Sequence, residues 1–193
     1  MGRYEQGSIE RLATRMEEAD VPPEVAARVL EGGEAIQRKA TPEARAAWWK
    51  GAMERMDLLL GEEERQAVRQ ACACCLGGKR HQVSRSIARE NATLEDRVRA
   101  ANEARFVFGN GVTRQADGTL LVRFQPEGNG PYRCSCIPGV TETISITYCM
   151  CCAGHVRHHL RVALGRELSV RVRSSALSTG GERPCTFVAT LAG

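Results

Sequence analysis

The chain has no long apolar run, and nowhere does it approach the roughly 18 consecutive apolar residues that a membrane-spanning helix requires. Its opening stretch, MGRYEQGSIERLATRMEEAD, carries a charge every few residues and lacks an apolar h-region, so it does not read as a secretory signal. A cytoplasmic location is therefore expected, and a reducing compartment disfavours lasting disulfides. Aromatic residues make up only 5% of the chain, too few for base-stacking platforms. The net charge of +4 is modest and both signs are mixed along the sequence, which reads as a solvated surface rather than a nucleic-acid footprint. There is no G-x-G-x-x-G, no G-x-x-x-x-G-K-[ST], no G-x-S-x-G and no H-E-x-x-H, and no repeat of fixed period.

At 193 residues and 42% hydrophobic content, the chain can bury a good core without covalent staples. The first hundred residues read as helices. Ser8 precedes a stripe of Ile9, Leu12, Met16 and Ala19, and Pro22-Pro23 open a short helix through Val25, Val29 and Leu30. Thr41-Pro42 start a longer helix through Trp48, Trp49, Met53, Met56 and Leu60, whose large side chains read as helix packing or, alternatively, as an apolar pocket. A fourth helix is expected from Glu62 to Cys75, stopped by Gly77-Gly78, and Thr93 with Asp96 resembles a capping pair.

After Ala104 the runs become short and β-branched or aromatic. Phe106-Val107-Phe108 and Thr119 to Phe124 flank Asp117-Gly118, a hairpin signal. Thr141 to Tyr148 reads as a strand or as a loop leading into a helix. His155 to Leu164 reads as a helix closed by Gly165, and Leu168 to Val172 and Thr186 to Leu191 as strands. The expected fold class is α+β: an N-terminal helical region, residues 1–104, packed on a small antiparallel sheet with a C-terminal helix and two final strands, residues 105–193, forming one folded unit.

What the chain has in excess is cysteine. Its nine thiols fall in four places: Cys72, Cys74 and Cys75; Cys134 and Cys136; Cys149, Cys151 and Cys152; and Cys185 alone. Eight of them lie within two residues of another, which scattered core cysteines rarely do. Each group sits at an element boundary, where side chains from separate segments can converge on one ion, and a soft divalent ion needs about four thiolate or imidazole ligands. The candidate ligands are Cys74, Cys75, Cys134, Cys136, Cys149, Cys151, Cys152 and Cys185, with His155 one turn beyond Cys151 and Cys152. Zinc is the expected ion and an iron–sulfur cluster the alternative. Buried reduced thiols and thiol redox chemistry remain open beside the metal reading. Of the remaining histidines, His81 reads as surface, and at least two of His155, His158 and His159 are expected to face solvent.

The segment from Tyr148 to Leu191 resembles the C-terminal half of 4-vinyl reductase-type domains. The shared features are a cysteine-led helix ending in glycine (Cys149 to Gly165), a strand (Leu168 to Val172), a glycine-plus-acid loop (Gly181-Glu182) and a cysteine followed by an aromatic (Cys185 and Phe187). The resemblance implies a small-molecule-binding α/β fold whose sensor members hold zinc through cysteines and a glutamate. The helix-start cysteine corresponds to Cys151 or Cys152 and the last cysteine to Cys185, so that Cys185 should lie beside the Cys149 to Cys152 turn. Where that family places a glutamate and another cysteine, this chain has Val172 to Leu177 with no ionisable ligand except Arg173. Hydrolases of 2-amino-thiazoline-4-carboxylate are similar in the same region. The functions implied are a zinc-containing small-molecule binder or sensor, a hydrolase using a cysteine or metal-bound water, or a thiol redox or metal-handling protein. The expected partners are a small apolar or aromatic molecule, with a homodimer compatible, and neither nucleic acid nor a membrane.

Overall fold

A computed structural model describes residues 2–124 and 134–192. Helices α1 (Gly7–Glu18), α2 (Pro23–Val29), α3 (Pro42–Leu59) and α4 (Glu62–Ala71) come first, followed by α5 (Gly78–Glu90), α6 (Leu94–Glu103) and the single turn α7 (Arg105–Phe108). Strands β1 (Gly111–Arg114) and β2 (Leu120–Arg123), helix α8 (Met150–Leu164), and strands β3 (Leu168–Ser174) and β4 (Thr186–Leu191) complete an α+β fold. No helix of the described residues is long and apolar enough to cross a membrane.

Local chemistry sets the element boundaries. Thr41 Oγ1 accepts from Ala44 N at the start of α3, and Thr93 Oγ1 accepts from Asp96 N at the start of α6. Asp117 Oδ1 accepts from both the backbone N and the hydroxyl of Thr119, and Gly118 takes φ 84° to close the hairpin between β1 and β2. The sheet is antiparallel in the order β1-β2-β4-β3. Pairing of Leu120 with Ala189 and of Val122 with Phe187 aligns one apolar face, against which α8 lays Val156, Leu160 and Leu164.

Two apolar cores result. One gathers α1 to α4 around Ile9, Met16, Trp49, Met53 and Val68, and also takes in Ile137, Ile144, Tyr148 and Leu177 from the second half of the chain. The other unites α5, α6, the sheet and α8. Helix α8 runs between them, packed against α4 on one side and against α5 and β3 elsewhere, which explains why most of its circumference is buried. Cys151 packs on the first core and its neighbour Cys152 on the second.

Three sequence expectations need correction. Helix α4 ends at Ala71, and Gly77-Gly78 do not stop a helix but begin α5. Only Ser84 and Ile87 of α5 are buried, so it carries almost no apolar stripe to announce it. Phe106-Val107-Phe108 form the turn α7, with Phe106 exposed and the next two residues buried, and the strand opposite β2 is Gly111–Arg114. Of the two readings of Thr141 to Tyr148, a loop leading into a helix is the one found, with a short 3-10 turn at Ile146–Cys149, whereas the helix expected from His155 already starts at Met150. Trp48, Trp49, Met53 and Met56 all pack within the first core.

Candidate thiol site

Four chain segments meet where the two cores touch. The turn after α4 contributes Cys74 and Cys75, and Cys75 adopts φ 61°, a left-handed conformation uncommon for a residue with a side chain. Two histidines of α8 hold that turn: His155 Nδ1 faces Cys74 O at 3.4 Å, and His159 Nε2 faces Cys75 O at 3.0 Å. Cys134 and Cys136 come from a tight turn in which Ile137 N donates to Cys134 O, and Tyr148 Oη donates to Cys136 O. Cys149 precedes α8 and Cys151 and Cys152 lie in its first turn, where the free N–H groups favour a thiolate. Cys185 leads into β4, and its sulfur accepts from Ala176 N at 3.3 Å.

These eight thiols line one cavity of about 280 Å³, together with His155, Phe106, Phe124, Phe187, Arg80 and Arg105. Every candidate ligand from the sequence is thus brought to one place, Cys185 together with the Cys149 to Cys152 turn. Cys72, outside the candidate set, packs in the first core and does not line the cavity. Cys134, Cys149 and Cys185 are buried, Cys151 and Cys152 half-buried, and Cys74, Cys75 and Cys136 exposed; all nine are free thiols. Among the described residues, no group of three or more Cys, His, Asp or Glu side chains is arranged to hold a metal ion.

The sulfurs instead act on one another's acidity, Cys151 with Cys152, Cys152 with Cys136, and Cys136 with Cys74 and Cys134. This sets their acidities apart. Cys151 is lowered to about 6, first by the bond from Cys152 and then, against the opposing effect of burial, by the guanidinium of Arg69. Cys152 is pushed well up because it bonds to both Cys136 and Cys151. Cys134 is lowered through Cys136, and Cys74 is raised by the same neighbour. Burial raises Cys149 to about 12, partly offset by its contact with Ser175 Oγ at 2.9 Å. Cys151, Cys134 and Cys136 are thus shifted toward the thiolate, and Cys74, Cys149 and Cys152 toward the thiol.

Arg69 is the least expected member of this neighbourhood. It is only 3% exposed, its guanidinium carbon lying 5.0 Å from the Trp49 ring and 5.2 Å from the Tyr148 ring, and it donates to Tyr148 O at 2.9 Å. Among the described residues no carboxylate pairs with it. Burial disfavours its charge, and the nearby Cys151 sulfur, itself shifted toward the thiolate, supplies the compensating negative potential.

All four histidines cluster on α5 and α8. His81 Nδ1 lies 3.3 Å from His158 Nε2, and the rings of His158, His159 and His155 follow at 4.9 Å and 4.4 Å. His155 and His159 are buried, correcting the expectation that at least two of the three on α8 face solvent. Both nitrogens of His155 face backbone carbonyls, of Cys74 and Val107, so in this arrangement it clamps loops rather than turning a nitrogen on a sulfur. His159 Nδ1 lies 2.9 Å from Ser84 Oγ, and the neutral tautomer that donates from Nε2 to Cys75 O leaves Nδ1 as an acceptor facing a hydroxyl that also reaches Arg80 O at 3.1 Å.

Burial lowers His159 from its ordinary 6.5 to about 4. Its folded pKa lies below the unfolded one, so its stabilising effect is complete above about 6.5 and is lost as pH falls toward 4, a swing on the order of 3 kcal/mol. Urea denaturation across this window should show that loss, and His159→Gln, which keeps a donor for Cys75 O, should flatten it. An equally steep acid loss in the variant would assign the effect elsewhere.

No protein-family model, curated protein or solved structure matches the chain. Sequence reasoning missed Arg69, Arg80, Arg105 and the two phenylalanines Phe106 and Phe124. Arg69 precedes Cys72 by three residues, but nothing in the sequence distinguishes it from its charged neighbours Arg65 and Glu64.

Proposed function

We propose that the chain is a thiolate metal-binding protein, with zinc as the ion, whose cavity admits a small molecule beside the metal. The carrying observation is the convergence of eight free thiols from four segments on one cavity. The donor set suits a soft ion, since among the described residues no carboxylate lines the cavity and cysteine sulfur dominates it. Cys74, Cys134, Cys136, Cys151 and Cys152, which line the cavity and act on one another's acidity, are the donors proposed for the ion. Binding would release thiol protons and turn the sulfurs onto the metal. The resemblance of the last 45 residues to 4-vinyl reductase-type sensor domains adds to this reading through Cys151 or Cys152 and Cys185. A reducing compartment, the cytoplasm, would keep these thiols available.

Elemental analysis of protein purified without added metal should find about one zinc per chain. Iron with visible colour would replace zinc by a cluster, and no metal with all nine thiols titratable would overturn the metal reading. Replacing Cys151 and Cys152 together by serine should remove the metal and lower the melting temperature, whereas Cys72→Ser should keep the metal. A chelator should destabilise the wild type and leave the double variant almost unchanged. The reverse pattern would reject these donors.

A second reading, thiol redox chemistry, is favoured by one feature: the low-pKa Cys151 is hydrogen-bonded to its sequence neighbour Cys152. A hydrolase would need an acid or base beside a thiolate, and His155, the candidate, is engaged with carbonyls.

A further inference from the structure

We propose that the cavity recognises a small organic anion with an apolar body, held at the mouth by Arg80 and Arg105; this rests on reading the cavity as a ligand site, and not on the identity of the metal. The described lining contains no carboxylate, and its two permanent charges are those arginines. Neither forms an ion pair among the described residues, although cations at a protein surface ordinarily find an acid or remain fully hydrated.

Arg80 is instead held over an aromatic ring, its guanidinium carbon 4.3 Å from the Phe106 centroid, with Lys79 Nζ at 5.6 Å from the same ring. Phe106 is 54% exposed, a large apolar surface left at a rim where positive charge gathers. Further in, Phe124 and Phe187 pack at 4.9 Å, and Phe124 meets the His155 ring edge-on at 5.9 Å. The cavity is thus apolar and aromatic along its wall and cationic at its entrance, a pattern that places a carboxylate or phosphate at the arginines and a ring or short chain against the phenylalanines. Its 280 Å³ limits the body to about one ring.

The test compares 3-phenylpropionate with its uncharged isostere 3-phenylpropanamide by isothermal calorimetry on the full chain, with metal content measured on the same sample. The acid should bind at least about tenfold more tightly than the amide, and Arg80→Gln with Arg105→Gln should weaken the acid about tenfold while moving the amide less than about threefold. An unchanged melting temperature would show that the variant is folded. Equal affinities for acid and amide would overturn the proposal, because arginines that merely balanced the thiolates would give that result, and so would failure of the acid to bind. Discrimination in protein that holds no metal would sustain the anion site and reject the metal reading. A full zinc complement without discrimination would do the opposite.

Discussion

Replacing Gly154 with alanine is expected to cost the fold about 3 kcal/mol or more, because the added carbon would strike a neighbouring backbone. Gly154 lies where α8 crosses α4, and a Cβ built there would sit 2.2 Å from Gln70 O and 2.9 Å from Gln70 C. The obstacle is a helix backbone, with no flexible tip to swing aside, and Gln70 is fixed from its other end by a bond from Nε2 to Val170 O at 2.7 Å. Relief requires the two helices to separate, which opens the seam on which the thiols sit. Gly51→Ala in α3 is the natural control, since its Cβ would meet only the far end of Arg55 and helix propensity favours alanine by up to about 1 kcal/mol. Chemical denaturation should show a large loss for Gly154→Ala and a neutral or positive change for Gly51→Ala. A loss below about 1 kcal/mol at Gly154 would show that α4 and α8 are not locked in this crossing.

Arg69→Ala is expected to have the second largest effect, about 3 kcal/mol, and to carry a chemical signature. The substitution leaves a gap beside the Trp49 and Tyr148 rings, which themselves meet edge-on at 5.3 Å, and removes the donor to Tyr148 O, so a void and an unsatisfied acceptor act together. It also removes a positive charge that helps hold Cys151 at about 6, after the larger contribution of the Cys152 hydrogen bond. In chelator-treated protein, the pH midpoint for alkylation of Cys151 should therefore rise in Arg69→Ala. Arg69→Lys should restore much of the midpoint and little of the stability, because an ammonium keeps the charge but not the planar guanidinium that packs alongside both rings. A midpoint that stayed put in Arg69→Ala would mean that the guanidinium serves packing alone.

Much of the fold could be read from local chemistry. Thr41-Pro42, Thr93 with Asp96, Asp117-Gly118 and Gly165 each specify a boundary through a contact within a few residues, and each boundary is where those residues put it. Helix α5 was illegible for the opposite reason. It opens on Gly78 and exposes most of its surface, and its place is fixed by packing against α8, which leaves no period in its own sequence. Phe106 to Phe108 misled because aromatic richness favours strands on average, whereas here Gly109, at φ 68° and with a Cβ position 2.7 Å from Phe124 Cα, needs a sharp turn immediately before β1.

The site divides in the same way. Clustering announced the cysteines, since spacing is a property of the chain. Their order of acidity and their buried counter-charge were not announced, because Arg69 differs from Arg65 only in what the folded molecule packs around it.

Strand β4 is the last of the four sheet strands to leave the ribosome, yet it lies between β2 and β3 rather than at an edge. While the chain is being made, β2 and β3 therefore have no common partner, and the sheet cannot knit together until residues 186–191 are available. Cys185 enters with that same strand and completes the cavity wall. A nascent chain would expose many of its thiols before the cavity is closed, so synthesis in a reducing medium should give folded protein with its thiols free, while synthesis in an oxidising one should scramble it.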